Sequence, residues 1–279
     1  MSSTGLSIGV VGATGAVGSV TLALLAERGF RNVRALASAR SAGTTVRFGD
    51  GELTVGEATP EALSSGDLDL CFFSVGTATS RELVPHAVSV GTATIDKSDA
   101  YRLADGVPLV VAGVNDRVLG DGNGAGSGAG RIVANPNCSA MQLACALGPI
   151  RDAAGLRSVR LSTYQSMSGK GDEGIDELKA TPAAAGDLAM DWELVGDEFS
   201  EEWKLRAETR KILDLPDLPL SATCVRVPVL VGHAQAVWVE TDSPLSPDGA
   251  RAVLAESDHV RIDDCATPGK AAGGDQVLV

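Results

Sequence analysis

The segment Ile8-Gly9-Val10-Val11-Gly12-Ala13-Thr14-Gly15-Ala16-Val17-Gly18 constrains the fold more than any other part of the chain. A short apolar run leads into a tight glycine turn and then into a helical pattern that continues to Arg28. Gly12 and Gly15 let the backbone approach a pyrophosphate, and Gly18 lets the helix pack close to the strand. The helix start offers unpaired N–H groups to an anion. The same glycines suit a purely structural turn, but strand and helix lie on the sides that dinucleotide binding requires. The second strand ends in Leu36-Ala37-Ser38-Ala39-Arg40-Ser41-Ala42-Gly43, without an acid to hold a ribose 2′-hydroxyl. Arg40 and Ser41 are placed instead to clasp a 2′-phosphate, which favours NADP; a solvated loop arginine is the alternative.

Strand-like runs at Ser7–Val11, Val33–Ala37, Leu68–Ser74, Ala93–Asp96, Leu109–Ala112 and Ile132–Ala134 alternate with helical patterns. That is the texture of βαβ units on a parallel sheet. Beyond residue 135 the texture changes. Runs at Val159–Gln165, Thr223–Leu230 and Ala236–Glu240, separated by long helical or irregular stretches, predict a mixed sheet. The expected fold is therefore α/β: a Rossmann-type dinucleotide-binding domain over 1–136 and an α+β catalytic and dimerisation domain over 137–279. Gly120–Gly130, with glycine at alternate positions, reads as a surface loop, and the acidic stretch Ala180–Ser200 as a surface excursion. The chain closes on GGDQVLV, an apolar strand-like run that reads as a stop in mid-fold.

The net charge of −13 over 279 residues and the 4% aromatic content argue against nucleic acid as a partner, since phosphate backbones demand a basic face. No run approaches the ~20 apolar residues that span a bilayer, and no export signal opens the chain. The five cysteines are odd in number and widely spaced, without CxxC pairs or metal-ligand spacing, which points to reduced thiols in the cytoplasm.

One cysteine stands apart. In Ala134-Asn135-Pro136-Asn137-Cys138-Ser139-Ala140-Met141-Gln142-Leu143, a strand ends at Asn-Pro and a helix runs to Ala154, so Cys138 lies at a helix N-terminus, where the dipole favours a thiolate. A thiol nucleophile needs a proton partner, and the chain offers three histidines. His86 falls in a helix of the first domain, His259 starts a late strand, and His233 follows a strand that also carries Arg226. From the residues alone, a buried structural cysteine and a non-catalytic histidine remain open.

GATGAVG at 12–18, ARSAG at 39–43, NPNCSAMQL at 135–143, QSMSGKG at 165–171, GIDEL at 174–178, EEWKLRAETRKIL at 201–213 and CVRVPVLVGHAQAVWVE at 224–240 together resemble the aspartate-β-semialdehyde dehydrogenase family. The resemblance runs over essentially the whole chain. It implies NADPH-dependent reduction of L-aspartyl-4-phosphate to aspartate semialdehyde and phosphate, in the biosynthesis of lysine, threonine, methionine and isoleucine. It implies Cys138 as the nucleophile that forms a thioester, His233 as the acid/base residue and Gln165 as the residue that orients substrate. Arg226 would grip the α-carboxylate and Glu201 the amino group, while Arg102, Asn137 and Lys204 would bind phosphate. Ser168 and Gly169 would join Thr14, Gly15, Ala16, Val17, Arg40 and Ser41 in the cofactor-binding set, and the protein would be a homodimer.

Two departures stand out. Lys97 and Asp99 in IDKSDAYR occupy a run that is expected to be neutral, and the family's later nicotinamide-side segment and closing helix are not in this sequence, so the second domain is expected to be C-terminally incomplete. N-acetyl-γ-glutamyl-phosphate reductase is the alternative enzyme; its cysteine follows Asn-Pro-Gly, and Asn137 therefore favours the aspartyl substrate. An inactive truncated cofactor-binding remnant is the third reading.

Overall fold

The computed structural model describes residues 5–120, 130–180 and 193–279. Residue contacts divide them into two units, one within Met1–Val110 and Arg117–Asn135, the other within Val111–Asp116 and Pro136–Val279. The sequence reading left Val111–Asp116 in the first domain; it packs with the second unit.

In chain order the first unit carries β1 (Ile8–Val11), α1 (Ala16–Glu27), β2 (Val33–Ala37), β3 (Thr45–Phe48), β4 (Gly51–Thr54), β5 (Gly56–Glu57), α2 (Pro60–Leu63), β6 (Leu70–Phe73), α3 (Thr77–Ser89), β7 (Ala93–Asp96) and β8 (Ile132–Ala134). Among the described residues its main sheet has the order β5-β2-β1-β6-β7-β8, and every pairing is parallel. The chain runs outward from β1 in one direction through β2 and in the other through β6, which places a switch point between β1 and β6. The apolar runs are buried on both faces. Ile8 and Val10 pack with Leu22 and Leu25 of α1, whereas Val11 packs with Leu83 and Val84 of α3.

Two expectations for this unit need correction. Leu109–Ala112 is not a strand; only Leu109 makes an isolated bridge, to Ala134. The antiparallel hairpin of β3 and β4 was not foreseen, because its residues are largely exposed and carry no buried apolar face to betray it. Residues 121–129 of the glycine-rich loop and 181–192 of the acidic stretch lie outside the described residues.

The second unit carries α4 (Cys138–Ala154), β9 (Ser158–Gln165), α5 (Asp172–Ala180), β10 (Leu194–Val195), β11 (Glu198–Phe199), α6 (Ser200–Leu213), β12 (Leu220–Arg226), β13 (Ala234–Glu240), α7 (Pro247–Ala255), β14 (Val260–Arg261), α8 (Pro268–Ala271) and β15 (Val277–Leu278). Its three-stranded sheet has the order β12-β9-β13, parallel between β12 and β9 and antiparallel between β9 and β13. This is the mixed sheet the sequence implied. The expected strand Thr223–Leu230 instead begins at Leu220 and ends at Arg226, two residues before Pro228, which has no N–H to give to a ladder. The register sets Arg226 beside Gln165 and Ala234 beside Tyr164. The ends of β9 and β12 and the start of β13 therefore meet at one edge of the sheet.

Candidate active site

Cys138 is the first residue of α4, and the residue before it builds the helix start. The Asn137 side-chain oxygen accepts from the N–H groups of Ser139 at 2.8 Å and Ala140 at 3.4 Å, satisfying two of the donors that a helix N-terminus leaves open. The Asn137 amide nitrogen donates to Glu201 Oε1 at 2.9 Å, and its backbone N–H donates to Glu208 Oε2 at 2.6 Å. Glu208 is buried, so a carboxylate of α6 fixes the peptide just ahead of the cysteine. Nothing in the sequence singled out Glu208, which looks like one more solvated acid on an amphipathic helix.

His233 enters from the turn before β13. Its Nε2 lies 3.1 Å from Cys138 Sγ, and its Nδ1 lies 2.9 Å from the backbone nitrogen of Ser166. Burial holds the ring below the usual histidine pKa; the neighbouring Arg226 adds to this and Glu201 opposes it. A neutral imidazole beside sulfur is the consequence at neutral pH.

Gln165 ends β9 with its side chain buried, its amide within reach of Thr163 Oγ1 at 3.3 Å and Glu201 Oε1 at 3.4 Å. Arg226 ends β12 and donates from Nη1 to the Ser166 carbonyl at 2.7 Å, while its buried Nε has no hydrogen-bond partner. An anchored guanidinium with unspent donors is suited to a carboxylate. Gly169 lies against this pair: a Cβ there would fall 2.8 Å from Arg226 Nη1 and 3.3 Å from His233 Cε1. Ser168 adjoins it, with Oγ 3.0 Å from Ser166 Oγ. Lys204 sits on α6 one turn beyond Glu201.

The structure thus gathers Cys138, His233, Gln165, Arg226, Asn137 and Glu201 in the second unit, with Lys204, Ser168 and Gly169 on the same elements. Arg102 belongs to the first unit, its guanidinium donating to the carbonyls of Asn135 at 3.0 Å and Lys97 at 2.9 Å. The other cysteines do not share the arrangement. Cys71, Cys145 and Cys224 are buried, with desolvation pushing the thiols of Cys71 and Cys224 up to about 12, and Cys265 is exposed.

In the first unit, Gly12 adopts φ +84°, and a Cβ there would meet the Ser74 carbonyl oxygen at 2.2 Å; one on Gly18 would meet the Gly12 carbonyl oxygen at 2.0 Å. No side chain caps α1 at Gly15, so the first amides of the helix remain open to an anion. Arg40 is exposed in the turn directly after β2, beside Ser41. The residues fit a dinucleotide: a cradle without side chains, an uncapped helix start, and a cation at the end of the second strand.

Residues 7–121 match the family model described as the NAD-binding domain of semialdehyde dehydrogenase, and residues 147–279 the one described as its dimerisation domain. The aspartate-semialdehyde dehydrogenase of Bacillus subtilis (strain 168) is 38% identical, over 99% of this chain and 87% of its own length. The chain belongs to the aspartate-semialdehyde dehydrogenase family. The Corynebacterium glutamicum relative of the same name is 39% identical over 98% of this chain and 88% of its own. Aspartate semialdehyde dehydrogenase II of Vibrio cholerae, solved in complex with ASA, superposes with a TM-score of 0.89 at 34% identity, covering 98% of this chain and 86% of that one. Membership of this family of oxidoreductases accounts for both halves of the chain, the NAD-binding domain and the dimerisation domain. Among the described residues no helix is long and apolar enough to cross a membrane.

Proposed function

We propose that this chain catalyses the NADPH-dependent reduction of L-aspartyl-4-phosphate to aspartate-4-semialdehyde and phosphate through a thioester on Cys138. The observation that carries the reading is the 3.1 Å approach of His233 Nε2 to Cys138 Sγ at the capped start of α4. The Cys138 thiolate attacks the acyl carbon, and the carbon–oxygen bond to phosphate breaks. NADPH, when bound, would supply the hydride that reduces the thioester. The Nε2–H of His233 hydrogen-bonds the oxygen as charge gathers there, and the oxyanion then re-forms the carbonyl as the carbon–sulfur bond breaks, which frees the aldehyde and returns the Cys138 thiolate. Arg226 binds the α-carboxylate, Glu201 the amino group, and Gln165 orients the acyl group. Arg102, Asn137 and Lys204 bind the phosphate.

Gly12, Thr14, Gly15, Ala16 and Val17 would hold the cofactor's pyrophosphate, Arg40 and Ser41 its 2′-phosphate, and Ser168 and Gly169 would join them toward the nicotinamide. The chain works as a cytoplasmic homodimer in amino-acid biosynthesis. In support of the dimer, register puts Tyr164 and Trp238 on the same face of the three-stranded sheet, 43% and 63% exposed respectively.

Cys138→Ser tests the assignment, because a neutral hydroxyl is a far weaker nucleophile than a thiolate. Phosphate-dependent NADP reduction by aspartate semialdehyde should vanish while NADP affinity stays within twofold. Substantial turnover in the serine variant would remove Cys138 from the chemistry.

A further inference from the structure

The residue between Gln165 and the glycine-bearing turn is Ser166, fully buried and absent from the sequence-derived site. Each of its polar groups is engaged with the site. Its carbonyl accepts from Arg226 Nη1 at 2.7 Å, its N–H meets His233 Nδ1 at 2.9 Å, and its Oγ lies 3.2 Å from the same Nδ1 and 3.0 Å from Ser168 Oγ.

The backbone contact is decisive, because a peptide nitrogen can only donate. His233 Nδ1 must therefore present its lone pair, and a neutral imidazole then carries its single proton on Nε2. That proton points at Cys138 Sγ, which makes the sulfur the acceptor. An imidazolium would set two N–H groups head to head across 2.9 Å. The charges around the ring act in the same sense on balance: Arg226 on β12 and burial oppose a second proton, and Glu201 on α6 alone favours it.

We propose that Ser166 is a positioning residue whose backbone N–H fixes His233 as the neutral Nε2–H tautomer, so that the ring serves Cys138 as a hydrogen-bond donor and not as the base that removes its proton. The thiol proton passes to solvent, and the Nε2 proton stays on the ring, where it faces the sulfur and then the oxygen of the group bound to it. This inference rests on the reading of Cys138 as the nucleophile, and it replaces the expected acid/base pair at rest with a donor–acceptor pair. Gln carries an amide N–H near the position of Nε2 but cannot act as a base, so it separates the two roles.

The test uses the full chain labelled with 15N-histidine. Its three histidines, His86, His233 and His259, are few enough to assign with a His233→Gln sample. At pH 7 the His233 signals should show an unprotonated Nδ1 and a protonated Nε2. Protons on both nitrogens, or on Nδ1 alone, would overturn the proposal. Ser166→Ala keeps the amide and should keep this pattern; its loss there would assign the tautomer to the hydroxyl and overturn the backbone role. Alkylation by iodoacetamide, read at the Cys138 peptide, supplies a second measurement. His233→Gln should react within threefold of the native rate and His233→Ala at least tenfold more slowly, whereas equal slowing in both would restore the ring as base. None of these readouts needs turnover. An active Cys138→Ser variant would sink the proposed function while leaving the tautomer intact.

Discussion

Gly169→Ala is the sharpest single test of how the site is packed. Gly169 is exposed and its φ lies outside the left-handed region, so alanine is compatible with the backbone itself. The added methyl would nevertheless stand 2.8 Å from Arg226 Nη1. Real Cβ contacts are essentially never under 3.0 Å and seldom under 3.4 Å, so the guanidinium must retreat by about 0.2 to 0.6 Å. The 2.7 Å bond from that nitrogen to the Ser166 carbonyl lies in the way of such a movement. Loss of a hydrogen bond to a charged group costs about 1.5–3 kcal/mol, which becomes roughly 10- to 150-fold in rate at 1.36 kcal/mol per tenfold. The assay is phosphate-dependent NADP reduction, with thermal unfolding and NADP affinity measured alongside. The expected result is a kcat/KM for aspartate semialdehyde reduced by that factor, with Tm lowered by several degrees because the same lost bond costs the fold roughly 2–4 °C per kcal/mol. A kcat/KM within twofold of native would show that Arg226 is not held where the reaction needs it.

Arg40→Ala should weaken NADP at least tenfold and leave NAD within twofold, since only NADP carries the 2′-phosphate; equal losses by calorimetry would reduce Arg40 to a surface residue. Lys97 offers a pH test. Its amine donates to Thr21 Oγ1 at 2.5 Å and lies 5.6 Å from the Phe72 ring centroid, and burial lowers its pKa from 10.5 to about 8. The folded value lies below the unfolded one, so the unfolded chain holds more protons between about pH 8 and 10.5, and stability rises with pH across that window. Lys97→Met should therefore stabilise the protein by about 1–3 kcal/mol at pH 7, with the gain shrinking as pH approaches 10. A gain of the same size at both pH values in thermal melts would show that burial of the charge is not its cause.

Most of the first unit was legible because its strands are continuous apolar runs, buried on both faces and punctuated by glycine. The start of α4 was equally plain, since Asn-Pro-Asn-Cys marks both the strand end and the cap. Legibility failed where the signal was tertiary. The Leu109–Ala112 run is as apolar as a strand but follows Pro108 and finds one bridging partner. Ser166 contributes a peptide N–H that every residue but proline possesses, so no side-chain pattern reveals it. Glu208 differs from Glu201 and Glu202 on the same helix by full burial against the peptide of Asn137.

The geometry around Cys138 also fixes when its chemistry can exist. His233 reaches it across 95 residues of sequence, Glu208 fastens the preceding peptide across 71, and Ser166 holds the imidazole across 67. Contacts of such separation carry a high loop-closure cost and form late. During synthesis the helix start is complete long before residue 233 leaves the ribosome. The emerging chain therefore presents an ordinary thiol, and the paired sulfur arises only once β9, α6 and β13 have come together. Selective modification at Cys138 is accordingly a clock for the meeting of β9, α6 and β13.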